Sequence, residues 1–124
     1  MSTALLDTHV VAWLAGDPGR LSRAAREAIA TVDRLALSPV TAFEFEDLRI
    51  RNRLPIAAEL AQIIEAFELQ VLPFPTDLWS VAAKLPPIHR DPIDRILVAH
   101  AVHADLDLVT ADRHIAAYPV KVIW

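Results

Sequence analysis

Five short apolar runs that do not alternate, each separated from the next by helix signals, constrain this chain most. Ala4-Leu5-Leu6, Arg34-Leu35-Ala36-Leu37, Gln70-Val71-Leu72, Leu108-Val109-Thr110 and Val120-Lys121-Val122-Ile123 read as strands. A strand with one wet face alternates apolar and polar residues. A run without alternation is covered on both faces, as in a parallel sheet. Asp7 or Thr8 caps a helix from about His9 to Ala15, with Gly16 at its C′ position. Ser22 caps a second helix, through about Val32. Ser38-Pro39 opens a third, from Val40 to about Arg51, and Pro55 opens a fourth with Leu60, Ile63, Ile64 and Phe67 as its stripe. Thr76 caps a fifth helix, through about Leu85, and Asp91-Pro92 opens a sixth, to about Ala104. Strands alternating with helices predict an α/β fold of parallel βαβ units, with helices on both sheet faces.

At 124 residues the chain has the length of one domain, and 54% hydrophobic residues supply its core. The absence of cysteine excludes disulfides and thiolate metal sites. Met1 to Asp7 has no basic stretch and meets an acid too early for a signal peptide. No apolar run reaches membrane-spanning length, so a soluble cytoplasmic protein is expected. The net charge of −4 gives no general nucleic-acid footprint. A phosphate-bearing substrate would need a local basic patch or a bound cation.

In open parallel sheets, ligands bind beyond the carboxyl ends of the strands. Four acids fall there. Asp7 follows strand one, Glu44 lies in the second turn of the helix after strand two, Asp94 lies in the first turn of the helix feeding strand four, and Asp112 lies two residues beyond strand four. Each also has an ordinary explanation. Asp7 and Asp112 suit helix caps, and Asp94 suits the positive end of a helix dipole. Glu44 suits a surface position beside a stripe of Val40, Phe43 and Leu48. Yet Asp94 shares a helical face with Leu97, Val98 and Ala101 and so leans inward, where an unpaired carboxylate is costly. Four carboxylates gathered without counterions repel, and some must stay protonated. A hard divalent cation resolves this, and an oxygen-rich, cysteine-free donor set favours Mg²⁺ or Mn²⁺ over zinc.

Leu5-Leu6-Asp7-Thr8-His9, Ser38-Pro39-Val40-Thr41-Ala42-Phe43-Glu44, His89-Arg90-Asp91-Pro92-Ile93-Asp94-Arg95-Ile96-Leu97 and Leu108-Val109-Thr110-Ala111-Asp112 resemble, in order, the four motifs of PIN domains, in particular the VapC-type toxin ribonucleases. The tail from Tyr118 to Trp124 is similar to members that end in a strand and a Trp. The resemblance implies one PIN-like domain over residues 1–124, an αβα sandwich with a central five-stranded parallel sheet. It implies that Asp7, Glu44, Asp94 and Asp112 form the acidic metal site of an Mg²⁺- or Mn²⁺-dependent endoribonuclease. It further implies a cognate antitoxin that blocks the site, and a homodimer or a toxin–antitoxin hetero-oligomer. Asp7 and Asp94 would be the principal ligands, Asp112 would complete the site or hold a second ion, and Glu44 would position or deprotonate the attacking water. Two departures stand out. Ile93 replaces the usual Phe, and Phe45-Glu46-Asp47 adds two acids where a Lys is common, so Glu46 competes with Glu44 as the acid of that motif. Asp91 is read as a cap rather than a ligand.

Weaker signals remain. Arg49, Arg51 and Arg53 cluster at the end of the third helix, as a solvated terminus or as contacts to RNA phosphates. Thr8 and Thr110 read as capping and packing residues before they read as donors to carboxylates. His100, His103 and His114 read as packed or surface histidines, since no third ligand has matching spacing. The Leu60–Phe67 stripe is core, part of which could instead groove an antitoxin helix. A phosphoacceptor receiver and a haloacid-dehalogenase-type phosphatase both need an acid pair after strand one, which Asp7-Thr8-His9 lacks. The surviving alternative is a PIN-like module that binds RNA or protein without catalysis.

Overall fold

The computed structural model describes residues 1–124. The chain runs β1 (Thr3–Leu6), α1 (Thr8–Gly16), a 3₁₀ turn (Pro18–Arg20), α2 (Arg23–Thr31), β2 (Arg34–Leu37), α3 (Pro39–Ile50), α4 (Leu60–Phe67), β3 (Gln70–Val71), α5 (Leu78–Lys84), α6 (Pro92–Ala104), β4 (Asp107–Val109), a 3₁₀ turn (Ile115–Ala117) and β5 (Val122–Ile123). The five strands form one parallel sheet in the order β3-β2-β1-β4-β5. In β1, Leu5 lies opposite Ala36 on one side and Leu108 on the other.

Two-sided burial explains the unalternating strands. Ala4 and Leu6 of β1 point into one apolar cluster, with Val10 and Val11 of α1, Phe45 of α3, and Leu60 and Ile63 of α4. Leu5 points into the other, with Leu78 of α5 and Leu97 and Val98 of α6. Both faces are thus covered, completing the αβα sandwich. Helix α3 touches both α1 and α6.

Local caps set most helix starts. Asp7 Oδ1 accepts from the Thr8 N–H at 2.7 Å, Ser22 Oγ from the Ala25 N–H at 3.0 Å, Ser38 Oγ from the Val40 N–H at 3.3 Å, and Asp91 Oδ1 from the Ile93 N–H at 2.9 Å. Several expectations need correction. The fourth helix does not open at Pro55. Residues 55–58 stay non-helical, and α4 starts at Leu60, where the Glu59 N–H donates to Gln62 Oε1 at 3.2 Å. Thr76 is not a cap, because Pro75 to Leu78 forms a turn closed by the Leu78 N–H on the Pro75 carbonyl, and Asp77 precedes the helix. Gly16 is not a left-handed C′ residue. It ends α1, and a Cβ there would meet Ile56 Cδ1 at 3.2 Å, so it is small to admit Ile56. On α3 the buried aromatic is Phe45, whereas Phe43 is 65% exposed.

Candidate metal centre

Sheet order places a topological switch between β1 and β4. From β1 the chain departs toward β2 through helices on one face. It enters β4 from α6, on the other. The loops beyond these two strand ends part around a crevice. The Asp7 N–H donates to the Val109 carbonyl at 3.0 Å, so the ladder runs to the edge of the crevice and sets Asp7 on its floor.

Asp7 is nearly buried, with one hydrogen bond to each carboxylate oxygen. Besides capping α1, its Oδ2 accepts from Thr110 Oγ1 at 2.6 Å. Burial raises its pKa, and the bonds from Thr110 and Thr8 offset part of that rise. Glu44, on α3, accepts from Thr8 Oγ1 at 2.5 Å. Burial, then the Asp7 and Asp91 charges, raise its pKa too, against the lowering effect of the Thr8 bond. Asp94, in the first turn of α6, is pushed up to about 7 by burial and then by Asp7 and Asp91. Asp112 moves the other way. Burial raises it, but the bonds from His89 and from the His114 N–H at 2.8 Å outweigh burial and lower it.

All four predicted acids therefore line one cleft of about 340 Å³, with His9, Trp13, Asp91 and Ala111. Asp91 keeps its role as the α6 cap while adding a fifth carboxylate. Glu46 does not compete with Glu44, because it pairs with Arg49 and is absent from the lining. Arg51 pairs with Asp47 at 3.4 Å, so the two acids that interrupt the family pattern neutralise much of the arginine cluster. Thr8 and Thr110 hold carboxylates after all. Thr110 Oγ1 also accepts from the Asp112 N–H at 3.1 Å, tying the Asp7 and Asp112 loops together.

His89 is the residue the sequence reading left without a role. Its Nε2 lies 3.1 Å from Asp94 Oδ2 and 3.0 Å from Asp112 Oδ2. Its Nδ1 accepts from the Asp91 N–H at 3.1 Å, so Nε2 carries the ring proton and shares it between the two acids. The His89 N–H in turn donates to the Tyr118 hydroxyl at 2.7 Å. The available signal was local: a His two residues before a helix cap is placed to accept the cap's own N–H. The other histidines take ordinary roles. His100 is buried, with Nδ1 2.8 Å from Ser38 Oγ, and His103 lies 3.4 Å from Asp77.

This donor set fits a hard divalent cation. No Lys or Arg lines the cleft, and raised pKa values mark carboxylates that lack positive charge. One N–H of His89 is the donor that Asp94 and Asp112 share. Donor atoms of His89, Asp94 and Asp112 lie within 4.8 Å of one another. Oxygen dominates the set, as Mg²⁺ and Mn²⁺ require. Binding through His89 Nε2 would move the proton to Nδ1, against the Asp91 N–H, so His89 is better suited to hold the acids than to ligate.

Comparison with known proteins agrees with this architecture. The family model for the PIN domain matches residues 4–121. Ribonuclease VapC22 of Mycobacterium tuberculosis (strain ATCC 25618 / H37Rv) is 34% identical over 123 residues, covering 95% of this chain and 93% of that one. Among solved structures, VapBC2 from Rickettsia felis bound to a promoter DNA fragment superposes with a TM-score of 0.69 at 12% identity, covering 97% of this chain and 96% of that one. A toxin–antitoxin complex from Klebsiella pneumoniae gives 0.67 at 21% identity, covering 98% and 96%. These two establish likeness of fold. With a family match over nearly the whole chain and a relative sharing a third of its residues from end to end, the chain belongs to the PIN domain family, and within it to the VapC type.

Proposed function

We propose that the chain is a metal-dependent endoribonuclease, the toxin of a toxin–antitoxin pair, and that Asp7, Glu44, Asp94 and Asp112 hold Mg²⁺ or Mn²⁺. The observation that carries this reading is the convergence of four carboxylates from four separate elements on one cleft that no Lys or Arg lines. The named activity of the 34% identical relative supports the choice of RNA as substrate. When bound, the cation supplies charge for the scissile phosphate and acidifies a water.

The chain's own residues do the rest. Asp7 and Asp94 face the cleft as principal ligands, Asp7 fixed by Thr8 and Thr110 and Asp94 by His89. Asp112 completes the set from the β4 side. Glu44 orients the attacking water and accepts its proton, a role that its raised pKa supports. Hydrolysis leaves 5′-phosphate and 3′-hydroxyl ends. The partners of this reading are an RNA substrate, an antitoxin that blocks the cleft, and a second toxin subunit. Its compartment is the cytoplasm, in keeping with the absence of any helix long and apolar enough to cross a membrane.

The test is calorimetric Mn²⁺ binding together with RNA cleavage, native chain against Asp7→Asn. The expected result is that the variant loses both, with cleavage down at least about a hundredfold. A folded native chain that binds Mn²⁺ but never cuts RNA would support the inactive-module alternative. Ends bearing 2′,3′-cyclic phosphate would overturn the water-attack route.

A further inference from the structure

The cleft has one wall unlike the rest. Five of its eight lining residues are carboxylates, and the other three are His9, Trp13 and Ala111. Both large non-acidic side chains come from α1, four residues apart and so on one helical face. Their rings lie 5.9 Å apart, tilted by 50°. Trp124 backs Trp13 from the C-terminus at 5.7 Å. The guanidinium of Arg20 stands 5.2 Å from the centre of the Trp13 ring and forms no ion pair with any acid.

Packing explains only part of this wall. Trp13 rests its inner edge on the core cluster around Leu6 and Val10, as any half-buried Trp would. His9 is exposed and caps nothing, and Arg20 is exposed at the end of a 3₁₀ turn. Electrostatics supplies the need. A strand of RNA entering a cleft of five carboxylates is repelled along its backbone wherever no cation stands. Affinity for the flanking nucleotides must then come from groups that attract without presenting negative charge. Base-on-aromatic contact does so, and it tolerates any base. It also requires an unstacked base, hence a single strand.

We propose that His9, Trp13 and Arg20 form a nucleotide subsite beside the acidic centre, in which one base of single-stranded RNA packs on the His9–Trp13 wall and Arg20 meets an adjoining phosphate. This rests on the reading of the cleft as an RNA-cleaving centre. Arg20 is held over Trp13 until the strand arrives, then exchanges the ring face for the phosphate.

The test uses the full chain with Ca²⁺ in place of Mg²⁺ to slow turnover. Two fluorescein-labelled probes are compared: a mixed-sequence single-stranded RNA octamer and an abasic octamer of the same backbone. His9→Ala and Trp13→Leu are each expected to weaken binding of the base-bearing octamer about tenfold and to leave the abasic strand unchanged. Trp13→Phe keeps an aromatic face and stays within about threefold of native. Arg20→Gln weakens both probes and flattens the salt dependence by about one phosphate contact. Calorimetric Mn²⁺ affinity stays at the native value in Trp13→Leu, Trp13→Phe and Arg20→Gln, since neither residue holds the ion, and this also reports that these variants are folded; His9 acts through space on Asp7 and Glu44, so the folding of His9→Ala is read from its urea unfolding. Equal binding of the base-bearing octamer by native chain, His9→Ala and Trp13→Leu overturns the subsite, as does an equal loss on both probes. A native chain that binds Mn²⁺ but not the octamer overturns the subsite alone. One that binds neither overturns the reading of the cleft and the subsite with it.

Discussion

Replacing Asp94 by Asn should make the metal-free protein more stable. Asp94 carries a carboxyl raised from 3.8 to about 7 by burial and by neighbouring acids. That is roughly three powers of ten in proton affinity, at about 1.4 kcal/mol each, or about 4 kcal/mol. The side chain is only 16% exposed, so water screens little of it. A raised folded-state pKa means that the folded chain holds this proton where the unfolded chain has released it. Stability from this group is therefore full below about pH 4, declines between about pH 4 and 7, and is lost above 7. Asp7, Asp91 and Glu44 all contribute to the raised value, so relief at one position is partly shared with the others. The expected gain for Asp94→Asn at pH 8 without metal is about 2–4 kcal/mol, roughly 10 °C in Tm for a chain of this length. Asn keeps an oxygen that accepts from His89, so the change removes charge and little else. Urea and thermal unfolding at pH 8 and pH 4, with EDTA and with Mn²⁺, measure it. The gain should vanish at pH 4, and it should reverse with saturating Mn²⁺, which stabilises only the chain that binds it. A variant equal to or less stable than native at pH 8 in EDTA would refute the reasoning, because the acids would then not be paying a charge penalty.

Other outcomes follow from the same contacts. Thr110→Val removes the donor to the nearly buried Asp7 carboxylate and the acceptor of the Asp112 N–H. It should cost about 1–3 kcal/mol in urea unfolding and about tenfold or more in Mn²⁺ affinity by calorimetry. His89→Ala strips Asp94 and Asp112 of the proton they share. Its stability loss of about 1–3 kcal/mol in EDTA should shrink when Mn²⁺ is added, and a loss of the same size in both buffers would mean that His89 serves packing alone. Arg51→Ala should leave the salt dependence of RNA binding unchanged, since Arg51 is paired with Asp47. A slope smaller by about one would restore Arg51 as a phosphate contact.

What the sequence disclosed was whatever is decided within a few residues or by burial alone. Leu5-Leu6 announced a strand covered on both faces, and Asp7, Ser22, Ser38 and Asp91 announced helix starts, because a cap bonds to the N–H groups just beyond it. The four acids were legible as strand-end residues once the alternation was read. Their gathering on one cleft depended on strand order, which no residue states. Pro55 misled because a proline suits an extended segment as well as a helix start, and the signal that won was Glu59 with Gln62. Phe43 and Phe45 could not be sorted locally, since α3 meets both α1 and α6 and its buried face is set by them. His89 was hidden for a related reason. Its partner Asp112 lies 23 residues away, and its tautomer is fixed only when the fold brings both acids to Nε2.

The central position of β1 has a consequence for the order in which this protein comes into being. Asp7 is made 103 residues before its Thr110 partner, and β1 lies open along one side until β4 emerges. Closing so long a loop carries an entropic cost that only the completed pairing offsets. A nascent chain that stops short of Thr110 has β2 to hold β1 but lacks the Asp112 carboxylate and the hydroxyl that orients Asp7. The acidic centre is thus assembled only after β4, Thr110 and Asp112 have followed β1 out of the ribosome.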